Sequence, residues 1–292
     1  MKVKGVLLCG GSGTRLLPLT RATNKHMIRI GDRLMLDYPI ERLIEADVRD
    51  IHVIIGGEHF DGIVKYLGSG ADRGCRFTYS MQTEAGGIAE AIGMAESFCG
   101  DDKIVVMLGD NVFSFPISVE VNDFRGSKCP SECRLFFTHS DTPERFGCIE
   151  YDEGSPKDIV EKRTPAPSND ILTGMYMYTP DVFEYIKTIE RSARGELEVT
   201  DLNRIYMHND HSEFIMHPLK GWWSDCGTFE SIWKAEQLVR GIRPGLKRVP
   251  CPNTECDHGK ALTRDDADKI TTEIDLCPVC KGTGSIEEYE EE

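Results

Sequence analysis

Short apolar runs that alternate with segments of helical spacing are the strongest constraint on the fold of this chain. Runs rich in Val, Ile, Leu and Phe lie at residues 3–8, 51–55, 104–108 and 134–138. Residues 35–46 and 87–98, each of which follows a loop, carry apolar side chains at helical spacing. This alternation predicts an α/β fold in which a mostly parallel, mixed sheet is flanked by helices.

The second half of the chain continues the pattern and then loses it. Residues 148–151 and 172–178 read as further strands, and residues 228–240 read as a helix. Around residues 243–250, Pro244, Gly245 and Pro250 interrupt the pattern. We therefore predict a large α/β domain over residues 1–245 and a small cysteine-rich module over residues 246–292.

The composition indicates a globular protein, which can still bind a small anion where cations converge locally. The chain has 292 residues, of which 40% are hydrophobic, so it can bury a large core. A formal net charge of -15 argues against nucleic-acid and membrane partners, because a polyanion would be repelled over most of the surface. Without an apolar run of about 18 residues, we expect a cytoplasmic protein.

A glycine-rich segment follows the first strand. Gly10, Gly11 and Gly13 let the backbone approach a ligand closely, and free N–H groups there suit phosphate oxygens. The segment matches neither the P-loop nor the dinucleotide-binding fingerprint. Arg15 and Lys25 supply the cations instead. The glycines alone leave two interpretations open, a phosphate-binding loop and an ordinary turn with surface cations.

Several longer motifs, taken in their order along the chain, are more specific than the glycines. The sequence GGSGTRLLPLT followed by Lys25 resembles the signature of the sugar nucleotidyltransferases, and in particular of those that act on glucose 1-phosphate with dTTP. The likeness covers about the first 240 residues. It continues through Gln82 with Gly87, LGDN at 108–111, EK at 161–162, TGMYMY at 173–178, RGELEVTDLNRIY at 194–206 and GWWSDCGT at 221–228.

The resemblance implies a Rossmann-like fold, a homo-oligomer and a specific reaction. A sugar-phosphate oxygen attacks the α-phosphorus of a nucleoside triphosphate, and pyrophosphate leaves. The substrates expected are dTTP and glucose 1-phosphate, and the product is a dTDP-sugar. A phosphate monoester has a second pKa of about 6, so the nucleophile needs no general base at neutral pH. The chemistry calls for cations and a metal ion.

Two carboxylates are candidates for a Mg²⁺ site. Asp110 follows the apolar run 104–108 at the end of a strand, and Asp225 follows Trp222 and Trp223. Alone, each is more often a turn or cap residue. The resemblance assigns both to the catalytic metal, and Mg²⁺ typically takes one or two carboxylates together with phosphate oxygens and water.

The resemblance also assigns the remaining site residues. Arg15, Lys25 and Lys162 would be catalytic. The nucleotide site would comprise Gly10, Gly11, Ser12, Gly13, Thr14, Arg15, Gln82, Gly87 and Asp110. The sugar-phosphate site would comprise Gly147, Glu161, Lys162, Gly174 and Arg194.

Some motif positions depart from the family pattern. Arg29 and Arg163 stand where proline is usual, Gly86 replaces an acidic residue, and Phe146 replaces a tyrosine. Arg163 would add a cation near the sugar phosphate. The sugar and the base therefore stay open, and two alternatives remain: a UTP-dependent or other sugar nucleotidyltransferase, and a noncatalytic nucleotide-sugar sensor.

The C-terminal module is the largest departure, since family members usually end in helices there. Its four cysteines form two pairs about 20 residues apart, a spacing that predicts a zinc ribbon with one structural Zn²⁺. The expected ligands are Cys251, Cys256, Cys277 and Cys280, with His258 as a substitute for Cys256. Four free thiols are the alternative. The other seven cysteines read as small buried hydrophobes.

Overall fold

The computed structural model describes residues 1–11 and 13–241 and, beyond them, only five short strands. The chain divides into two compact units, Met1–Val239 and Arg240–Glu292. Ser12 lies outside the described residues. So do Cys251, Cys277, Cys280 and His258, together with the side chain of Cys256, and the zinc site stays a prediction.

The first unit alternates strands and helices along most of its length. Its strands are β1 Val3–Cys9, β2 Arg29–Ile30, β3 Arg33–Leu34, β4 Asp50–Gly56, β5 Arg76–Gln82, β6 Lys103–Leu108, β7 Val112–Phe113, β8 Glu132–His139, β9 Gly147–Asp152, β10 Ser155–Glu161, β11 Asp170–Tyr178, β12 Glu213–Pro218 and β13 Trp223–Ser224. Its helices are α1 Asp37–Glu45, α2 Phe60–Leu67, α3 Ile88–Gly93, α4 Glu96–Cys99, α5 Ser118–Gly126, α6 Val182–Ile186, α7 Val199–Met207 and α8 Phe229–Val239.

In the second unit the structure describes five short strands. They are β14 Leu246–Pro250, β15 Cys256–Asp257, β16 Lys260–Ala261, β17 Asp275–Leu276 and β18 Ser285–Tyr289. β14 pairs with β18, and β16 lies between β15 and β17. All of these pairings are antiparallel.

A nine-stranded mixed sheet forms the centre of the first unit. Its main path runs β10-β9-β11-β6-β1-β4-β5, and β8 pairs with β11 and β12. The central strands β6, β1, β4 and β5 are all parallel, whereas β11 runs antiparallel to β6. The predicted α/β fold with a central, mostly parallel sheet is confirmed, and the strands around β11 add an antiparallel part.

Apolar side chains cover both faces of the sheet, which explains why the strands read as continuous apolar runs. Along β1, Leu7 and Cys9 join the core cluster that contains α1, while Val6 and Leu8 join the cluster that contains α3. Successive side chains of a strand point to opposite faces, so one strand serves both clusters.

Two local expectations need correction. The helix predicted over residues 87–98 is broken into α3 and α4, because Gly93 at the end of α3 is a weak helix former. Of the seven scattered cysteines, five are buried, but Cys75 and Cys129 are only half-buried. Over residues 1–11 and 13–241, no helix combines the length and apolar character that a membrane span requires.

The parallel strands bring the predicted motifs to one edge of the sheet. Gly10 and Gly11 follow β1, Gln82 ends β5, and Asp110 comes two residues after β6. In open α/β sheets ligands bind at the carboxyl ends of the strands. The topology therefore positions these residues around one cleft.

Candidate active site

The loop after β1 needs glycine for its conformation. Gly11 and Gly13 have φ values of +98° and +61°, in the region that side chains disfavour. At Gly13, a Cβ atom would lie only 2.8 Å from Thr20 Cγ2, and the Thr20 hydroxyl donates to the Gly13 carbonyl at 2.9 Å. This bond ties the loop to the segment that follows it, so the path of the backbone is fixed.

Lys25 joins the glycine-rich loop to the end of β6. Its Nζ lies 3.9 Å from the Cβ position of Gly11 and donates to Asp110 Oδ2 at 2.5 Å. Burial opposes ionisation of Asp110. The positive charge of Lys25 and hydrogen bonds from Lys25 and Asn111 outweigh it, and the pKa of Asp110 lies below its ordinary value. Asp110 is therefore ionised at neutral pH.

Buried, uncharged side chains pack next to this ion pair. His26 is 1% exposed, and burial, together with the charge of Lys25, lowers its pKa to about 3. A side chain on Gly109 would meet Cys9 Sγ at 2.7 Å and His26 Cδ2 at 2.9 Å. The sequence interpretation missed Gly109, whose lack of a side chain lets β6 turn toward the cleft.

Asn111 connects three elements of the site, and it too was not singled out from the sequence. Its Nδ2 donates to Asp110 Oδ1 at 3.0 Å. Its Oδ1 accepts from the Gly174 backbone N–H at 3.0 Å and from Trp223 Nε1 at 2.6 Å. A Cβ atom on Gly174 would lie 2.5 Å from Leu108 side-chain atoms, which explains the glycine there. Asn111 thereby links β11 and β13 to the Asp110 carboxylate.

A cavity of about 320 Å³ opens beside the glycine-rich loop. The predicted nucleotide-site residues that line it are Gly10, Gly11, Arg15, Gln82, Gly87 and Asp110, and the predicted catalytic residue Lys25 lines it as well. Gly87 has a φ of +101°, and a Cβ atom there would overlap the Leu197 carbonyl. The backbone around Leu197 therefore packs directly against Gly87 in the wall of the cavity.

A second cavity of about 290 Å³ adjoins the first. The predicted sugar-site and metal-site residues that line it are Gly147, Glu161, Lys162, Gly174, Asp110 and Asp225. Arg15, Asp110 and Glu196 are among the residues that line both cavities. The predicted nucleotide and sugar sites thus meet at Arg15 and Asp110. Gly13 and Thr14 support the loop without lining either cavity.

Arg145 was missed by the sequence interpretation and lines the second cavity. Its guanidinium donates to Asp225 Oδ2 at 2.8 Å and lies 5.2 Å from the centre of the Phe146 ring. Phe146 in turn packs edge-on against Trp223. A Cβ atom at Gly227 would lie 3.1 Å from Asp225 Oδ2 and 3.2 Å from Arg15 Nη2. The bare backbone therefore lets Arg15 approach Asp225.

Lys162 has a strained backbone for a residue with a side chain. Its φ is +44°, and its N–H donates to the Phe146 carbonyl at 3.0 Å. Its Nζ lies 3.3 Å from Glu161 Oε1, and its side chain is 45% exposed. A Cβ atom on Gly147 would lie 3.3 Å from Glu161 Oε2. The hairpin of β9 and β10 thus presents both Glu161 and Lys162 to the cavity.

Two predicted cations, Arg194 and Arg163, line neither cavity, although Arg194 Nη2 lies 3.4 Å from Glu161 Oε1. Arg194 donates to both carboxylate oxygens of Glu198 at 2.8 Å and lines neither cavity. Its role as a phosphate contact stays a prediction. Arg163 pairs with Glu150 at 3.3 Å and also lies outside the second cavity. The expectation of an added cation at the sugar site is therefore not met by Arg163, whereas Arg145 provides one.

The carboxylates of the site fit a magnesium ion. Asp110 and Asp225 line the same cavity, and both are oxygen donors of the kind that Mg²⁺ prefers. No group of three or more His, Cys, Asp or Glu residues suited to a metal occurs in the part of the chain that the structure describes. An ion here would need substrate oxygens and water to complete its shell, as Mg²⁺ sites commonly do.

Comparisons with known proteins identify the family of the chain. Residues 4–241 match the nucleotidyl transferase family model. The low-salt glycan biosynthesis nucleotidyltransferase Agl11 of Haloferax volcanii is 37% identical over 238 residues, which are 81% of this chain and 66% of that protein. A glucose-1-phosphate thymidylyltransferase of Neisseria meningitidis is 35% identical over 246 residues, which cover 82% of this chain and 84% of that protein.

Solved structures share the fold. A Bacillus anthracis protein assigned as a glucose-1-phosphate thymidylyltransferase, solved with sucrose, is 41% identical with a TM-score of 0.76, covering 83% of this chain and 97% of its own. A UDP-glucose pyrophosphorylase solved with UDP-glucose, at 24% identity and a TM-score of 0.71, supports the fold alone. The motif resemblance is confirmed: the chain belongs to the nucleotidyl transferase family.

Proposed function

We propose that this chain transfers a nucleoside monophosphate, dTMP from dTTP, to glucose 1-phosphate and releases pyrophosphate. The observation that carries the proposal is the pair of adjoining cavities that share Arg15 and Asp110. A triphosphate on the glycine-rich loop and a sugar phosphate beside Lys162 would meet at these two residues. Relatives named glucose-1-phosphate thymidylyltransferase support the choice of substrates.

In this mechanism the chain supplies charge and position. Lys162 binds the sugar phosphate and aims its oxygen at the α-phosphorus. Arg15 binds the triphosphate on the opposite side and stabilises the charge that develops on the leaving pyrophosphate. Asp110 and Asp225 would hold Mg²⁺, which neutralises phosphoryl charge when bound. No proton has to be removed from the nucleophile, because a phosphate monoester is largely a dianion at neutral pH.

Glu161 and Gly147 are proposed to select the sugar. Glu161 Oε1 faces Lys162, and Oε2 accepts from the Thr200 hydroxyl at 2.5 Å. A carboxylate has further lone pairs for sugar hydroxyls. Gly147 keeps the space above this carboxylate free of a side chain.

Pyrophosphate release over a matrix of nucleoside triphosphates and sugar 1-phosphates with Mg²⁺ tests the proposal. We expect the highest kcat/KM with dTTP and glucose 1-phosphate. UTP is the second candidate, because uracil offers the same ring edge as thymine and differs by one methyl group. A matrix without pyrophosphate release, from a folded protein that still binds nucleotide, would contradict the proposal and favour a sensor.

We also propose that residues 246–292 form a module with one structural Zn²⁺ held by Cys251, Cys256, Cys277 and Cys280. The spacing of the two cysteine pairs supports it. Metal analysis of the purified chain should give one zinc per molecule, and changing all four cysteines to serine should remove it. Zinc-free protein, or zinc retained by the serine variant, would contradict the site.

A further inference from the structure

Glu90 lies directly behind the wall of the nucleotide cavity, although no motif pointed to it. It belongs to α3, and a Cβ atom built on Gly86 would overlap its carboxylate. Arg191 holds the carboxylate from the other side through an ion pair with Glu90 Oε2. Arg191 Nη1 also donates to the Gly195 carbonyl at 2.7 Å. Glu90 is therefore fixed in place, and the small Gly86 makes room for it.

The fixed carboxylate determines how the Gln82 side chain is oriented. Gln82 Nε2 lies 3.3 Å from Glu90 Oε1 and 3.4 Å from the Gly87 carbonyl oxygen. A carboxylate and a carbonyl only accept hydrogen bonds, so the amide nitrogen of Gln82 must face them. The amide oxygen then points the other way, and it lies 3.1 Å from the Cβ position of Gly10.

This orientation leaves a hydrogen-bond acceptor for a nucleobase. Gln82 and Gly10 both line the nucleotide cavity. Because Nε2 faces Glu90 and the Gly87 carbonyl, the Gln82 atom on the Gly10 side is the acceptor Oε1. Thymine and uracil carry a donor at N3, whereas cytosine carries an acceptor at N3. A buried acceptor facing another acceptor loses a hydrogen bond and adds repulsion, which discriminates strongly.

We propose that Glu90 is a positioning residue that sets base preference: it holds the Gln82 amide so that the site selects pyrimidines with an N3–H donor and rejects cytosine. The proposal rests on the proposed function only in assuming that the bound nucleotide is a substrate. The preference for one base over another is a property of binding and does not depend on the reaction. It is therefore measurable even if pyrophosphate release fails.

The matched ligand pair is dTTP and 5-methyl-dCTP, which differ at N3 and at the 4-substituent but share the methyl group. By calorimetry, the wild-type protein should bind dTTP at least about 100-fold more tightly than 5-methyl-dCTP. In Glu90→Gln, the new amide can donate to Gln82 Oε1 and let Gln82 turn its Nε2 to the cavity. The affinity ratio should fall at least about tenfold. Glu90→Ala, without either group, should lower the ratio less.

Two controls separate this role from a structural one. In a Gln82→Ala background, Glu90→Gln should change the ratio by less than about twofold, because the side chain that it orients is gone. Glu96→Gln removes a comparable ion pair, with Lys187 at 2.9 Å, on the neighbouring helix α4 and should leave the ratio unchanged. Equal weakening of both ligands by Glu90→Gln, or the same ratio change without Gln82, would overturn the proposal.

Discussion

Replacing Lys25 with methionine would leave the Asp110 carboxylate in place without the ammonium 2.5 Å away. Both side chains are mostly buried, with exposures of 16% and 14%, so water can replace the lost partner only in part. Hydrogen bonds to charged groups contribute about 1.5–3 kcal/mol. We therefore expect Lys25→Met to lower the free energy of unfolding by about 2–3 kcal/mol at pH 7.5, measured by urea denaturation in EDTA.

The loss should depend on pH with a definite sign. In the wild-type chain the pKa of Asp110 lies below its ordinary value, so its contribution is complete above about pH 4 and is lost only on further acidification. In Lys25→Met, burial dominates and raises the pKa of Asp110. The folded variant then favours the protonated form of Asp110, and its free energy of unfolding falls as the pH rises through the raised pKa. The gap between the two proteins should widen from pH 4.5 to 7.5.

A second lysine provides the control. Lys187 pairs with Glu96 and Glu184 but is 53% exposed, so Lys187→Met should change stability by less than about 1 kcal/mol, with no pH trend. The double variant Lys25→Met with Asp110→Asn should lose the pH trend of the single variant. A gap between Lys25→Met and wild type that stays constant over this pH range would refute the assigned coupling.

Two further predictions concern the backbone and the metal site. Gly87→Ala should lower the thermal midpoint and weaken dTTP binding at least about tenfold, because Gly87 has a positive φ and a methyl group there would overlap the Leu197 carbonyl. An unchanged dTTP affinity by calorimetry would show that the cavity wall at Gly87 does not contact the nucleotide. Asp225→Asn should lower kcat about 100-fold and raise the Mg²⁺ concentration needed for half-maximal rate, since it removes one of two carboxylates; an unchanged Mg²⁺ dependence would exclude Asp225 as a ligand.

Residues at strand ends could be predicted because sheet topology places them together. Gly10 and Asp110 follow buried apolar runs, and the carboxyl ends of parallel strands share one edge. Lys25 was found through its position after the loop motif. These predictions depend on local sequence pattern, and the structure brings the three residues to one cleft.

Contacts between distant segments could not be predicted in the same way. Arg145 looks like a surface cation in a turn, and its partner Asp225 is 80 residues away. The orientation of Gln82 depends on Glu90 and on the space left by Gly86, and these relations appear only when the fold brings Glu90 of α3 beside Gln82 at the end of β5. Such side-chain contacts depend on tertiary packing, so the local sequence pattern does not predict them.

The fate of the α-phosphorus tests the central claim most directly. Incubation with glucose 1-phosphate, Mg²⁺ and dTTP labelled either at the α- or at the γ-phosphorus separates the possible reactions. We predict that the α-label enters the nucleotide sugar, that the γ-label appears in pyrophosphate in equal amount, and that Arg15→Ala slows both about 100-fold or more. Label from the γ-position in the sugar or in orthophosphate, or near-normal rates in Arg15→Ala, would contradict the account.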